Sequence, residues 1–437
     1  MMERTLTPFG DNGLSPLRDS RGIVITRDTC AILLAIYAAC IFIWDYTIAY
    51  QAALVVMLGV TLALYRGRLL RLSPYVVTSG LFLLYFLIHT CVGLSNNVKY
   101  ASEYLVTLTI NLVAVMCILC IVDSPRKIEL VMKVLIFTAF AIWIYALIVE
   151  RKHLFSGMLG AKHATIPKPI FKGRYSHNNL PMFAGYAVLF LSYFRMKHRP
   201  IPFTWFLYAF FLVCVLLTGA RKALVFTMFG MFAYPLMFSK KQERPSNKTA
   251  KILGLAGCVI VAFYLIMTNE TLYALIGNRF AGFISGFLEG EFTESSARSR
   301  SIMFTTALAS IRQHPLLGIG LNNFRTLEGS FRTWSHNNFL EILVSGGILP
   351  LLIYYSYPVY ALIKLVKIRK DPMAGMFMTY MIYIVIHDCL TVSYITRTMS
   401  LMMGLIAAYL EIYDRQKRQR DAAFHNKDGI SAGACEE

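Results

Sequence analysis

Charged residues are scarce in this 437-residue chain, and their scarcity decides its broad class. Only 15% of the residues are charged and 57% are hydrophobic, whereas a soluble domain carries about 25% charged residues. Apolar runs of about 18 or more residues recur, which is long enough to cross a bilayer as a helix. The composition excludes a soluble protein, and the lack of short alternating segments excludes a transmembrane barrel.

Two kinds of chemistry lack their sequence signatures. No GxxxxGK phosphate-binding loop occurs, so we expect the energy to come from an activated donor rather than from a bound nucleotide. The nine cysteines lie in predicted spans or in the tail, and Cys117 and Cys120 form a CxxC inside an apolar run. Such a pair is typical of core packing. We therefore expect no metal centre, no cofactor and no disulfide.

The apolar runs predict an all-α polytopic membrane protein with about twelve transmembrane helices, because a backbone in lipid must satisfy its own hydrogen bonds. The predicted spans are 30–48, 50–65, 75–94, 104–122, 129–149, 178–194, 202–218, 223–238, 252–268, 338–363, 373–391 and 396–413.

The distribution of Lys and Arg predicts the orientation of these spans. An even number of helices places both termini on one side, and the segments on that side carry most of the 43 Lys and Arg residues. Positive residues stay cytoplasmic, so we expect cytoplasmic segments at 1–29 and 414–437 around a single membrane domain at 30–413. The end of the tail is expected to be disordered. The net charge of +19 is then a topology signal, and nucleic acid is not an expected partner.

Two substantial loops are predicted on the outer side, at about 150–177 and 269–337. Both hold cations against the topological preference, and this suggests an anionic ligand. A further pair of cations, Arg221 and Lys222, lies in a tight outer turn with the sequence LLTGARKALVF. For a single lysine of the first loop, anchoring to lipid headgroups is the more ordinary explanation.

The tetrapeptide SHNN occurs twice on this outer side, at 176–179 and 335–338, each time before a predicted span. Asn179 and Asn338 are positioned to cap the free N–H groups of those helices. Capping does not require the histidine. A histidine at the water–membrane boundary can move protons near neutral pH, which makes His336 a candidate for chemistry.

Both SHNN copies lie within a longer frame, by which we mean a fixed spacing between a basic residue and a glycine. Arg174 is followed by ten residues and then Gly185, and His336 is followed by ten residues and then Gly347. A glycine about three turns into a helix allows a neighbouring helix or lipid chain to approach closely.

The long outer loop has its own predicted elements. Residues 271–288 are apolar with three glycines and predict a helix lying on the membrane surface. A second helix is predicted from about 297 to 312, capped by one of the two serines before it and ended by Pro315. Arg298 and Arg300 fall in its first turn, where guanidinium and free N–H groups together can bind an anion.

These motifs resemble the O-antigen ligase and polymerase superfamily. The main block is SARSRSIMFTTALASIRQHPLLGIGLNNF followed by SHNNFLEILVSGGILPLLIYY. LLTGARKALVF at 216–226 looks like the short arginine turn of that family. GRYSHNNLPMFAG at 173–185 is similar to the arginine-x10-glycine pattern of its polymerases. The resemblance covers most of the chain from about 170 to 365.

The resemblance implies a fold akin to the GT-C class in a bacterial inner membrane, with a long helical outer loop between helices 9 and 10. Members transfer a glycan from an undecaprenyl-diphosphate carrier on the outer leaflet, without a metal or a nucleotide sugar. Ligases pass the glycan to lipid A–core, and polymerases pass it to the next carrier-linked repeat unit. The implied partners are these donors and acceptors and the membrane lipid, and a chain-length regulator is a further candidate.

Roles for individual residues follow from this chemistry. Without a metal, guanidinium groups must stabilise the diphosphate leaving group, and we assign this role to Arg221 and Arg300. His336 is assigned as general base or orienter of the acceptor hydroxyl; a structural boundary histidine is the alternative. The supporting substrate-binding candidates are Arg174, His177, Arg298, Asn337 and Glu341.

Three functions remain open at this point. The overall similarity of the motifs to capsule and exopolysaccharide polymerases favours a polymerase over a ligase. A flippase or other transporter of lipid-linked glycan is the third possibility. A long helical outer loop with His and Arg is not needed for transport, which speaks against it. His387 and Asp388 are expected to be a local polar pair.

Overall fold

The computed structural model is helical almost throughout. It describes residues 27–44, 47–65, 72–149, 165–167, 174–176, 179–218, 220–238, 264, 268 and 295–433. The described helices are α1 (Arg27–Trp44), α2 (Ile48–Tyr65), α3 (Pro74–Cys91), α4 (Val98–Ile121), α5 (Pro125–Val149), α6 (Leu180–Met196), α7 (Thr204–Thr218), α8 (Arg221–Met228), α9 (Tyr234–Phe238), α10 (Ser295–Gln313), α11 (Asn338–Gly346), α12 (Ile348–Lys367), α13 (Pro372–Asp388) and α14 (Arg397–Gly433).

Short elements complete the described chain. A π-helical turn, Phe229–Ala233, joins α8 to α9. Two three-residue strands, β1 (Thr165–Pro167) and β2 (Arg174–Ser176), pair antiparallel, with Thr165 opposite Ser176.

The predicted spans coincide with helices wherever the structure describes them. Five of the described helices, α2, α3, α4, α5 and α12, are long and apolar enough to cross a membrane by length and composition. This agrees with a polytopic membrane protein, whereas the number twelve stays a prediction. The predicted ninth span, 252–268, is described only at residues 264 and 268, and the predicted surface helix 271–288 lies outside the described residues.

The tenth predicted span is wrong as a continuous helix. Instead of one helix over 338–363, α11 ends at Gly346 and α12 begins at Ile348. Gly347 breaks the helix with φ 75° and ψ −159°, a conformation that is essentially restricted to glycine. A Cβ on Gly347 would lie 2.1 Å from the carbonyl oxygen of Leu316. The second glycine of the repeated frame therefore creates a break rather than a smooth helix surface.

The first glycine of that frame does allow close packing. α6 lies at the centre of the bundle, and its residues from Leu180 to Phe194 are nearly all buried. It packs against α5, α7, α8 and α13. A Cβ on Gly185 would lie 2.3 Å from Cδ1 of Phe226 on α8. The predicted close approach at Gly185 is thus confirmed.

The last helix is longer than the last predicted span. α14 continues from Arg397 to Gly433, past the predicted boundary of the last span at 413, and the disorder expected at the end of the tail stays a prediction. Cys117 and Cys120 are buried in α4, as core packing predicts.

We predict that Gly347→Ala destabilises the protein, because alanine at this backbone conformation costs roughly 1–3 kcal/mol before the clash with Leu316 is counted. Thermal unfolding of the detergent-solubilised protein measures the effect. Gly59→Ala in α2 is the matched control, because no atom lies within 4 Å of the added Cβ and Ala is the better helix former. Equal midpoints for the two variants would contradict this account of the break.

Candidate active site

The two outer-loop arginines lie on a helix that is docked onto the SHNN segment. α10 ends before Pro315, as predicted, but it begins at Ser295, so the two serines expected to cap it lie within the helix. Arg298 and Arg300 are both exposed near its start. Further along α10, Met303 and Ala307 are buried in a cluster with Leu340 and Val344 of α11. Packing therefore fixes the helix that carries the arginines against the helix that follows His336.

Three of the four SHNN side chains at 335–338 build the turn itself. The backbone N–H of Ser335 donates to Oε2 of Glu341 at 2.8 Å, and the Ser335 hydroxyl donates to the carbonyl of Asn337 at 2.9 Å. The side chain of Asn337 accepts from the N–H of Leu340 at 3.0 Å and so caps α11. The predicted cap at Asn338 is wrong by one residue, because Asn338 is already the first residue of the helix.

Asn338 has a larger role than capping. Its amide nitrogen donates to the hydroxyl of Tyr355 at 2.9 Å and to Oδ2 of Asp388 at 3.3 Å. Its amide oxygen accepts the backbone N–H groups of Ser393 and Tyr394 at 2.8 and 3.1 Å. Asn338 is fully buried. One side chain therefore joins α11, α12 and the connection between α13 and α14.

Asp388 is the centre of this network, which the sequence analysis did not foresee. Its carboxylate is fully buried and accepts hydroxyl hydrogen bonds from Tyr355 at 2.7 Å and Ser393 at 2.5 Å, besides that from Asn338. Nδ1 of His387 lies 3.8 Å from Oδ1. The expected local pair is present, but the neutral donors are the closer partners. A carboxylate at the end of a membrane helix was the available signal.

His336 is the SHNN residue whose side chain is not used to build the turn. Its backbone lies in the left-handed region with φ 57°, which costs energy in a non-glycine residue. Its ring is 5.9 Å from that of Trp334. Nδ1 is buried and has no hydrogen-bond partner among the described residues. The turn therefore presents an imidazole that is available for another group.

The charges around His336 are positive. Burial, followed by the charges of Arg300 and Lys222, lowers the pKa of His336 to about 4. The imidazole is therefore neutral at physiological pH, as a proton acceptor must be. Arg300 also acts electrostatically on Lys222. We call Lys222, Arg300 and His336 the cationic pocket.

The sequence analysis named both Arg221 and Lys222 but assigned a role only to Arg221, whereas the charge that acts on His336 among the described residues of this turn is that of Lys222. Arg221 begins α8, but its side chain lies outside the described residues. The backbone carbonyl of Lys222 accepts a hydrogen bond from the hydroxyl of Tyr383 at 3.4 Å, and this contact ties the start of α8 to α13. The GARK turn offers two adjacent cations, and sequence alone does not say which one faces His336.

The structure describes the side chain of Glu341 but not those of Arg174 and His177. Glu341 is 1% exposed, and its described contacts are the bond from Ser335 and the nearby charge of Arg325. It shapes the turn, and its contact with substrate stays a prediction. Arg174 is paired with Pro167 through the β1–β2 ladder, but its side chain lies outside the described residues, as does all of His177.

The cationic pocket sets two positive charges near the imidazole of His336. A guanidinium can hold two oxygens of a phosphate group at once, and an ammonium adds a compact positive charge. Within the described residues, no three His, Cys, Asp or Glu side chains are grouped so that they could hold a metal ion. This arrangement suits a phosphate-containing leaving group next to a proton acceptor.

Comparison with known proteins agrees with this geometry. A family model described as O-antigen ligase matches residues 206–355, which include the GARK turn, α10 and the SHNN turn. No curated protein matches the chain. The family match confirms the resemblance to the O-antigen ligase and polymerase superfamily. It supports an enzyme of the glycosyltransferase type that works on lipid-linked glycans, and with the apolar helices it supports a multi-pass protein of the inner membrane.

We predict that Asn338→Ala costs more stability than Asn337→Ala, although both belong to the same tetrapeptide. Loss of a cap costs about 1 kcal/mol, whereas Asn338→Ala removes four hydrogen bonds and leaves two buried N–H groups unpaired. Thermal unfolding in detergent gives the ranking. A smaller effect for Asn338→Ala would show that the buried network does not hold the turn.

Proposed function

Because the chain carries the matched domain of the O-antigen ligase and polymerase superfamily, we propose that it is a bacterial polysaccharide polymerase. It transfers a glycan from an undecaprenyl-diphosphate donor to a carrier-linked repeat unit on the outer leaflet. The observation that carries this proposal is that the charges of Lys222 and Arg300 both act on the imidazole of His336, in the turn where the SHNN segment begins α11.

The proposed reaction is a direct displacement at the anomeric carbon. The hydroxyl oxygen of the acceptor forms the new glycosidic bond, while the bond from the anomeric carbon to the diphosphate oxygen breaks. The electron pair leaves with the diphosphate, whose charge Arg300 and Lys222 stabilise. The proton of the hydroxyl passes to His336. A single displacement of this kind inverts the anomeric centre.

The positive charges couple donor binding to the strength of the base. An imidazole with a pKa of about 4 accepts a proton from a sugar hydroxyl poorly. A diphosphate held by Arg300 and Lys222 offsets their charge, so the pKa of His336 rises toward its ordinary value. The acceptor hydroxyl is then activated chiefly when the donor is bound.

The other candidates have supporting roles in this proposal. Arg221 precedes Lys222 at the start of α8 and Arg298 precedes Arg300 on α10, so each extends the set of cations available to the diphosphate. Asn337 holds the turn. Arg174 and His177 belong to the first outer loop and are assigned to glycan binding.

Two other functions are distinguished by their products. A ligase would use the same pocket and pass the glycan to lipid A–core. A transporter of lipid-linked glycan would form no covalent product. The arginine-x10-glycine frame of Arg174 and Gly185 favours the polymerase, because it is similar to the pattern of the family's polymerases.

We predict that the purified protein, given undecaprenyl-diphosphate repeat units without metal or nucleotide, forms a ladder of carrier-linked products. A single transfer to added lipid A–core would instead identify a ligase. Absence of any covalent product from either mixture would contradict the proposal and favour a transporter.

The same assay tests the pocket residues. We expect His336→Ala to slow transfer about 10²–10⁴-fold, and Arg300→Ala or Lys222→Met about 10²–10³-fold, with Arg221→Ala also strongly impaired. Arg312→Ala is the matched control, since Arg312 is an exposed arginine at the other end of α10 and should retain full activity. Wild-type transfer by a pocket variant would remove that residue from the mechanism.

We further predict that inorganic pyrophosphate raises the pKa of His336 from its value of about 4. NMR titration of the protein with isotope-labelled histidine measures the shift, and the spectrum of His336→Gln assigns the signal. Arg300→Gln should raise the pKa without pyrophosphate and reduce the further change, because one positive neighbour is already lost. A pKa that does not respond to pyrophosphate would place the anion elsewhere.

A further inference from the structure

A short exposed segment beside the cationic pocket is fixed at both ends. Phe331, Arg332, Thr333 and Trp334 lie between Ser330 and Ser335, which are 1% and 5% exposed. The hydroxyl of Ser330 accepts from the backbone N–H of Arg332 at 3.2 Å, and the backbone N–H of Ser335 donates to the buried Glu341. The segment is therefore held as a rigid arc.

The backbone of this arc is strained. Phe331 and Arg332 have φ values of 52° and 56°, and His336 follows with 57°. Each such residue is unfavourable outside glycine, and backbone strain of this kind clusters at functional sites. The side chains of Phe331 and Trp334 are 56% and 36% exposed. The strained part of the backbone thus carries or adjoins large aromatic side chains that are not packed in the core.

Trp334 is the aromatic ring that reaches the candidate chemistry. Its ring lies 5.9 Å from that of His336, with an angle of 64° between the planes. The edge-to-face contact orients the indole relative to the imidazole, and more than a third of the side chain stays accessible. A flat apolar surface therefore adjoins the proposed proton acceptor.

We propose that Trp334 is the stacking surface for a pyranose ring of the acceptor glycan, whose hydroxyl then faces His336. A pyranose presents one face of C–H bonds and a rim of hydroxyls. It can lie on an indole through the C–H face while a hydroxyl at its rim reaches a neighbouring polar group. The inference rests on the proposed function, since it supposes that the pocket handles glycans.

Exposed aromatic residues are also common in the interfacial belts of membrane proteins. Contact with lipid accounts for an exposed ring, but it does not account for a ring packed against His336 or for a strained arc fixed by two buried serines. The arrangement favours a sugar as the occupant, and the experiment includes lipid as the opposing outcome.

Binding of the repeat-unit glycan, freed from its carrier by mild acid, tests the inference. This probe has no leaving group, so it binds to the wild-type protein without reacting. The chain contains four tryptophans, and we expect a saturable change of fluorescence in wild type that is lost in Trp334→Phe. Trp205→Phe is the matched control, because Trp205 is exposed and stacks on Arg195 at 4.2 Å, and it should keep the change.

The affinity for the same glycan supplies the second measurement. We expect Trp334→Ala to weaken binding about tenfold, the equivalent of one stacking contact, and Phe331→Ala to leave it unchanged. Binding within twofold of wild type in Trp334→Ala would overturn the inference. A Trp334 signal that responds to empty phospholipid vesicles and not to glycan would also overturn it and identify a lipid anchor.

The two proposals fail in different ways. If Trp334-dependent glycan binding is found in a protein that forms no product from the carrier-linked donor, the stacking role stands and the polymerase proposal falls. If the protein forms products but Trp334→Ala binds and transfers as wild type does, the polymerase proposal stands and the stacking role falls.

Discussion

The buried amide of Asn338 joins parts of the chain that are far apart in sequence. It accepts the backbone N–H groups of Ser393 and Tyr394 and donates to Asp388 and Tyr355. These contacts fix the start of α11 against α12 and against the turn between α13 and α14. The hydroxyls of Tyr355 and Ser393 satisfy the carboxylate of Asp388 and so stabilise it inside the protein. The position of His336, two residues before Asn338, depends on these contacts.

The electrostatics of the pocket follow from that position. Arg300 lies on α10 and Lys222 lies at the start of α8. The charges of both side chains act on the partly buried imidazole of His336. Like charges held near one another repel, so the arrangement favours a ligand with several negative charges. A lipid diphosphate has that charge, and its arrival would also strengthen the neighbouring base. Charge stabilisation and proton transfer are then two consequences of one arrangement.

Sequence patterns located most of the framework but not its polar junctions. Pro315 follows the end of α10 at Gln313 as the helix signal predicts, since this signal is local. The break at Gly347 was not predicted, although Gly346 and Gly347 form a Gly-Gly pair of the kind that marks turns. The apolar residues on both sides favoured one helix, and the conformation of Gly347 depends on its contact with Leu316. The importance of Asp388 was missed for the same reason: its partners come from distant helices. Local patterns cannot identify contacts that only the packing of the bundle creates.

A cryo-EM structure of the protein in nanodiscs with undecaprenyl diphosphate would test the central claim most directly. The account predicts diphosphate density in contact with both Arg300 and Lys222. The space between that density and His336 should hold no more than one sugar ring. Diphosphate bound elsewhere, or next to these cations but separated from His336 by protein, would contradict it.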